Sequence, residues 1–140
     1  MNAADIERVL EIEVLSFSSS WPKDAFANEV RENKLAHYFT GRLDGRIVAY
    51  GGIWVILEDS HVTTIAVHPD LRGRKLGEEM LIHLLDAAID NGASWITLEV
   101  RESNEEARKL YEARGFEIAG KRTKYYRKPD EDALIMRRKL

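Results

Sequence analysis

The first half of the chain changes from a helical to a strand-like hydrophobic pattern. Apolar residues recur every three or four positions over Asp5–Phe17, which predicts an amphipathic helix. A second, shorter helix is predicted from Trp21-Pro22 to Val30, because proline suits a first helical turn. Segments rich in β-branched and aromatic residues then predict strands over Leu35–Leu43 and Arg46–Leu57.

The next part of the chain alternates strands with helices. A strand is predicted over Ser60–Val67, and a basic, glycine-containing loop separates it from a strong helix over Leu76–Asp90. A further strand is predicted over Trp95–Val100, and the helix that follows it ends near Arg114.

The end of the chain has the weakest hydrophobic pattern. Two closing strands are predicted over Phe116–Ala119 and Ala133–Arg138, and the polar segment Tyr125–Asp132 between them is predicted to be a loop. Earlier in the chain, Asp44-Gly45 is a hairpin signal that requires antiparallel pairing. The element order therefore predicts an α/β fold with a mixed, mostly antiparallel sheet of about six or seven strands and helices on both faces.

Composition and charge narrow the class of protein. The chain has 140 residues, of which 44% are hydrophobic, so a single domain over residues 1–140 has enough core without metal or disulfide cross-links. There is no cysteine, which excludes an acyl-cysteine intermediate, and the four histidines have no metal-binding spacing. The net charge of -3 argues against bulk binding to nucleic acid or membranes. Without a secretory signal or an apolar run of bilayer length, a cytoplasmic protein is expected.

The basic loop before Leu76 is the first candidate for a binding site. A helix N-terminus carries unpaired N–H groups and a partial positive charge, and it therefore binds anions. Glycines at Gly73 and Gly77 allow close backbone approach, and the cations of the loop add charge-assisted contacts. The loop alone is equally compatible with a phosphate-binding turn and with an ordinary basic connection between two core elements.

The loop and the segments after it resemble the GNAT superfamily of acetyltransferases. Arg72 and Gly77 match the ends of that superfamily's acetyl-CoA motif, Gln/Arg-x-x-Gly-x-Gly/Ala, while Lys75 stands where the first glycine is expected. Leu98–Asn104 and Leu110–Phe116 resemble the strand, turn and helix at the acetyl end of such a site. The chain is also similar, from Trp21-Pro22 to its last strand, to the RimI group, which acetylates the N-terminal alanine of ribosomal protein S18.

This resemblance implies the co-substrate, the partner and the binding residues. It implies an enzyme that transfers an acetyl group from acetyl-CoA directly to a protein N-terminal α-amine, with ribosomal protein S18 as partner and no metal. The resemblance also implies the GNAT fold, in which the sheet is splayed in the middle and the pantetheine arm lies between two strands, held by backbone groups near Ile65 to Val67. A monomer or weak dimer is expected. The expected cofactor-binding residues are Ile65, Ala66, Val67, Arg72, Gly73, Arg74, Lys75, Leu76, Gly77, Glu78 and Asn104. Asn104 is equally suited to capping the helix that follows it.

Two residues are candidates for the chemistry. Glu99 lies late in its strand on the face shared with Trp95 and Thr97, and the resemblance implies that it accepts the proton of the amine. Apolar neighbours are expected to raise its pKa; the alternative is a solvated carboxylate at a strand end. Tyr111 matches the tyrosine that donates a proton to the departing thiolate, and the alternative is a core tyrosine bonded to a backbone carbonyl.

Aromatic residues are candidates for the wall of a peptide site. Tyr125 and Tyr126 match a loop of the family that borders the peptide, and Trp21 is a candidate for the opposite wall. Strand-edge aromatics and core packing are the alternatives. Two other functions remain open at this point: a GNAT enzyme for another amine, such as a lysine, a polyamine or another small molecule, and a non-catalytic acyl-CoA-binding module.

Overall fold

The computed structural model describes residues 5–16, 23–72, 75–126 and 131–140. A short 3-10 turn, Pro69–Leu71, follows the third strand. The helices and strands, in chain order, are α1 (Ile6–Ser16), α2 (Lys23–Glu32), β1 (Ala36–Leu43), β2 (Arg46–Ile56), β3 (Asp59–Val67), α3 (Leu76–Asp90), β4 (Trp95–Arg101), α4 (Glu105–Ala113), β5 (Glu117–Tyr126) and β6 (Glu131–Lys139).

The described strands form one six-stranded sheet in the order β1-β2-β3-β4-β6-β5. The β3–β4 pair is parallel, and the other neighbours are antiparallel. Asp44 and Gly45 both have positive φ angles, of 52° and 79°, as a tight two-residue hairpin turn requires. The predicted mixed, mostly antiparallel sheet is therefore confirmed.

The two central strands pair over a short length and then diverge. Parallel pairing between β3 and β4 joins Asp59 to Trp95 and ends where His61 pairs with Thr97. Beyond that point β3 stays paired with β2 as far as Val67, and β4 stays paired with β6. A gap therefore opens in the middle of the sheet beside the last residues of β3.

A β-bulge lies at the start of this gap. The register between β2 and β3 shifts between Gly52 and Ile53, so that Thr63 is an extra residue on β3. Gly52 is required there, because a Cβ at this position would lie 2.3 Å from the ring of Tyr38. The extra residue of the bulge therefore belongs to β3, the strand beside the gap.

Helices cover both faces of the sheet, as predicted. One buried cluster joins α3 and α4 to the sheet and includes Leu81, Leu84 and Ile96. The other joins α1 and α2 to the opposite face and includes Ile12 and Phe26. Ala49 and Tyr50, which are adjacent on β2, belong to different clusters, because neighbouring side chains of a strand point to opposite faces.

The prediction for the last hairpin was wrong. β5 continues from Glu117 to Tyr126 and β6 begins at Glu131, so Tyr125 and Tyr126 lie in a strand and not in a loop. β5 is an edge strand with mostly exposed side chains, and its backbone bonds to β6 need no hydrophobic alternation. The hydrophobic pattern of the sequence therefore gave no indication of this longer strand. Trp21-Pro22, the predicted start of the second helix, lies outside the described residues.

Candidate active site

A pocket of about 540 Å³ opens between the end of β3, the start of α3 and the inner face of α4. Its volume is within the range of small-molecule sites. The predicted residues that line the pocket are Ile65, Ala66, Val67, Arg72, Lys75, Leu76, Gly77, Glu78, Asn104 and Tyr111. Two other predicted residues, Gly73 and Arg74, lie outside the described residues. Sequence reasoning missed four further lining residues: Leu71, Glu106, Ala107 and Leu110. Ala107 and Leu110 share the helical stripe of Tyr111, and that spacing was sufficient to find them.

The first turn of α3 faces this pocket with unpaired backbone donors. The N–H groups of Leu76, Gly77 and Glu78 have no intrahelical partner, as at every helix N-terminus. The negative charge of Glu78 is balanced by an ion pair with Arg114, at the C-terminal end of α4. Arg72 lines the same pocket and donates from Nε to the carbonyl of Val67 at 3.3 Å. The arrangement suits a diphosphate.

Lys75, which stands where the motif has its first glycine, has a left-handed backbone. It is the N-cap of α3 and has a φ of 61°, in the left-handed region where glycine is favoured. Its side chain makes no capping hydrogen bond, and the residue is exposed. The lysine therefore adopts a backbone conformation that glycine adopts more easily, at the energetic expense of a strained φ.

Asn104 caps α4, which was one of its two predicted roles. Its Oδ1 accepts a hydrogen bond from the N–H of Ala107 at 3.2 Å. Asn104 also lines the pocket, so the cap leaves its amide beside the predicted binding site. Contact with the co-substrate stays a prediction.

Glu99 lies on the opposite face of the sheet from α3. The odd-numbered residues of β4 are half-buried there, while the even-numbered ones are buried on the other face, as the predicted alternation requires. Its Oε2 lies 3.3 Å from Nε2 of His61, and its Oε1 lies 3.5 Å from Nε of Arg122. Both carboxylate oxygens therefore have a nitrogen partner.

The expectation of a raised pKa at Glu99 was wrong. The hydrogen bond from His61 lowers the pKa of this carboxyl, and the charge of Arg122 adds to the effect. Burial acts in the opposite direction and does not prevail. The apolar residues adjacent in sequence point to the other face of β4, so they do not surround the carboxylate.

Tyr111 is buried on α4 and lines the pocket. Burial raises the pKa of its phenol to about 12. Its ring packs against Phe116, with 5.8 Å between the ring centroids. Within the part of the chain that the structure describes, the Tyr111 hydroxyl has no hydrogen-bond partner, unlike a core tyrosine bonded to a backbone carbonyl. The role of Tyr111 as a proton donor stays a prediction.

Tyr125 and Tyr126 end β5 close to Glu99. Their rings pack edge to face with 5.1 Å between centroids, and the guanidinium group of Arg101 lies 4.5 Å from the Tyr126 ring centroid. Burial raises the pKa of the Tyr126 phenol. The charges of Glu99 and Tyr111 act in the same direction, so Tyr126 lies close to both candidate groups. Trp21, the third predicted peptide contact, lies outside the described residues.

The pocket lies on the α3 side of the sheet beside the last residues of β3, and Glu99 lies on the other face, two residues beyond the last β3–β4 pair. The arrangement is suited to direct acyl transfer between two substrates held on opposite faces.

The fold and this two-sided site are those of an acyltransferase that uses coenzyme A. Residues 6–116 match the Acetyltransferase (GNAT) family. The chain belongs to this family and is an acetyl-CoA-dependent N-acetyltransferase. No helix in the described ranges has the length and apolar character needed to cross a membrane.

Individual relatives resemble the chain over nearly its whole length. A Bacillus subtilis protein provisionally named a ribosomal protein bS18-alanine N-acetyltransferase is 42% identical over 136 residues, which cover 97% of this chain and 90% of the relative. The Escherichia coli K12 enzyme named ribosomal protein bS18-alanine N-acetyltransferase is 34% identical over 138 residues, covering 97% and 92%. A crystal structure of the Escherichia coli ribosomal-protein-S18-alanine N-acetyltransferase gives a TM-score of 0.92 at 32% identity, covering 100% of this chain and 90% of that one.

Proposed function

We propose that this enzyme acetylates the N-terminal α-amine of a protein, and that its substrate is the N-terminal alanine of ribosomal protein bS18. The observation that carries the proposal is the gap between β3 and β4, with the pocket of Tyr111 on one face of the sheet and Glu99 on the other. The names of two relatives that match nearly the whole chain favour this substrate over other amines.

Residues around the gap hold acetyl-CoA, which supplies the acetyl thioester. The N–H groups at the start of α3, with Arg72 and Lys75, bind its diphosphate. The backbone of Ile65–Val67, which has no partner on β4, holds the pantetheine arm as an added strand. Gly73, Arg74 and Asn104 complete this set.

Glu99 accepts the proton of the substrate ammonium. A carboxylate with a lowered pKa is a weak base, so it favours an amine that loses its proton easily. A protein α-amine has a pKa of about 7.7–8.0, while a lysine amine at about 10.4 is harder to deprotonate by about 3 kcal/mol. The environment of Glu99 therefore supports an N-terminal amine as the substrate.

Tyr111 donates its phenolic proton to the sulfur that leaves. The phenol stays protonated near neutral pH, because burial raises its pKa to about 12. It lines the pocket through which the thioester enters. Tyr125 and Tyr126 border the peptide beside Glu99, and Trp21 is assigned to the facing wall.

Mass spectrometry tests the substrate. The enzyme is mixed with acetyl-CoA and a peptide that carries the first residues of bS18 from the same source, and a matched peptide has a blocked N-terminus and a lysine. Addition of one acetyl group to the free N-terminus alone supports the proposal. Acetylation of the blocked peptide alone, or of neither peptide, contradicts it.

A ribosomal substrate places the enzyme in the cytoplasm. We also propose that residues 1–140 act as one domain and as a monomer or weak dimer. Analytical ultracentrifugation across a range of protein concentrations measures this assembly state directly. A tight oligomer at the lowest concentration contradicts it.

A further inference from the structure

His61 makes a polar contact with Glu99. Neither residue belongs to the acetyl-CoA motif of the basic loop. We propose that His61 is a positioning residue of the acetyl-transfer site, which holds the Glu99 carboxylate and takes over the proton that Glu99 removes from the amine. This inference rests on the proposed function, because it concerns the path by which that amine loses its proton.

Both ring nitrogens of His61 have partners on the adjacent strand. Nε2 lies 3.3 Å from Oε2 of Glu99, and Nδ1 lies 3.0 Å from Oγ1 of Thr97. The parallel register pairs His61 directly with Thr97, so the ring lies along β4 with one nitrogen toward each side chain. His61 is thus held at two points and its ring orientation is fixed.

Thr97 allows the ring to change its protonation state without moving. Its hydroxyl donates to the carbonyl of Ser60 at 3.4 Å, and in this orientation Oγ1 accepts from an N–H at Nδ1 of His61. When Nδ1 carries no proton, the same hydroxyl turns and donates to it. The charged ring and the neutral ring with its proton on Nε2 are therefore compatible with the same positions of the heavy atoms, and the neutral ring with its proton on Nδ1 is compatible with them when Glu99 is protonated.

The proton has a route from the carboxylate through His61 to water. A ring nitrogen without a proton accepts one through its lone pair, and the charged ring donates from either nitrogen. Arg122 stabilises the charged carboxylate from its other oxygen. The side chain of His61 is 31% exposed, which allows water to receive the proton.

The proton steps balance over one turnover. The substrate ammonium loses two protons while a C–N bond forms to the acetyl carbonyl and the C–S bond breaks. Tyr111 gives its phenolic proton to the leaving sulfur, and the phenolate regains a proton as one N–H bond breaks. The other proton enters solvent: its N–H bond breaks as an O–H bond forms on Glu99. That O–H bond then breaks as an N–H bond forms at Nε2 of His61, and the imidazolium loses a proton to water.

The charged and titratable groups around His61 come from three elements, and a fourth, β2, provides an aromatic contact. β4 provides Glu99, and β5 provides Arg122 and Tyr125, which contact that carboxylate. On β2, the ring of Trp54 lies 6.4 Å from His61, and its Nε1 donates to Glu29 of α2. Glu29 also accepts a hydrogen bond from Asn33, which stabilises its charge away from the His61 ring. Glu99 is therefore the acid in direct contact with His61.

The test compares His61→Gln with the wild-type enzyme in rate measurements across pH, with the alanine-led peptide and saturating acetyl-CoA. The glutamine amide still donates to Glu99 and takes up no proton. We expect kcat to fall on the order of 100-fold and the kcat profile to lose one ionisation. The KM for acetyl-CoA and the thermal unfolding midpoint are expected to stay unchanged. His83→Gln, on the exposed surface of α3, is the matched control and keeps the wild-type profile.

Two further results distinguish a purely structural role of His61 from a role in proton transfer. His61→Ala is expected to recover rate when imidazole is added, whereas Glu99→Gln is not. A His61→Gln enzyme with wild-type kcat and pH profile overturns the proposal. If wild type acetylates only the blocked lysine peptide, the proposed function fails, and the same comparison on that peptide still decides the role of His61.

A measurement without turnover covers the case in which a variant does not fold or neither peptide is acetylated. The imidazole of His61 is titrated by NMR in the wild-type protein and in Glu99→Gln. If Glu99 and His61 share a proton, the titration midpoint of the imidazole shifts when the carboxylate is removed. An unchanged midpoint overturns the proposal regardless of activity.

Discussion

Arg122 Nε lies 3.5 Å from Oε1 of Glu99, the carboxylate oxygen that does not face His61. Arg122 is on β5, and β6 lies between β5 and β4, so the arginine reaches across one strand to make this contact. Its β6 partner, Ala133, has a small side chain that leaves room for the guanidinium group. Glu99 is therefore held in its charged form by side chains from both sides of its strand.

The charged state of Glu99 predicts a pH-dependent contribution to stability. A carboxyl whose pKa is lowered by folding stabilises the protein above its unfolded pKa of about 4.3, and this contribution disappears as pH falls through the folded pKa. We expect Glu99→Gln to have a lower thermal unfolding midpoint than wild type at neutral pH. The difference should shrink as the pH falls below about 4. Glu117→Gln, at an exposed site, is the control. A difference that is constant with pH would contradict the assignment.

The left-handed backbone of Lys75 predicts that glycine stabilises the protein. A residue with a Cβ has a cost of roughly 1–2 kcal/mol in this region, and glycine has almost none. Lys75→Ala removes the charge and keeps the Cβ, so it is the matched control. In urea unfolding, Lys75→Gly should be more stable than Lys75→Ala by about 1 kcal/mol. Equal stabilities of the two variants would show that the φ of Lys75 stores no strain.

Arg72 predicts a salt-dependent affinity for coenzyme A. An exposed cation at a diphosphate is screened strongly at about 1 M salt and weakly at about 0.1 M. We expect Arg72→Ala to bind coenzyme A about tenfold more weakly at low salt, corresponding to about 1.4 kcal/mol. Its affinity should also change less with salt than that of wild type. Lys34→Ala, in the turn before β1, is the control in calorimetric titrations. Parallel salt dependences for wild type and Arg72→Ala would remove Arg72 from the phosphate site.

Tyr111→Phe is expected to separate catalysis from stability. The hydroxyl has no hydrogen bond within the described part of the chain, so its removal should leave the thermal unfolding midpoint unchanged. Loss of the general acid should lower kcat on the order of 100-fold, with unchanged affinity for coenzyme A. Tyr50→Phe is expected to lower the thermal unfolding midpoint and to leave kcat unchanged. The buried Tyr50 hydroxyl lies 3.1 Å from Glu13 and supports packing rather than chemistry. A Tyr111→Phe enzyme with wild-type kcat would exclude the general-acid role.

Local sequence patterns along the chain were sufficient to predict much of the fold and the pocket side of the site. The helical stripe of α3 and the basic loop before it predicted the strand-loop-helix unit at the pocket. The alternation of β4 correctly placed Glu99 on the face away from its apolar neighbours. These features depend on residues a few positions apart, whose relative directions are set by the geometry of a single helix or strand.

Contacts between distant strands required the tertiary structure. His61 and Thr97 are 36 positions apart, and nothing in either segment specifies that the two residues pair. The sign of the pKa shift at Glu99 depends on that pairing and on Arg122, which β6 separates from β4. The edge strand β5 lacked a hydrophobic pattern, because its bonds to β6 are made by the backbone. Periodicity therefore determined which face each side chain occupies, and only the register and bulges of the assembled sheet decided which side chains meet there.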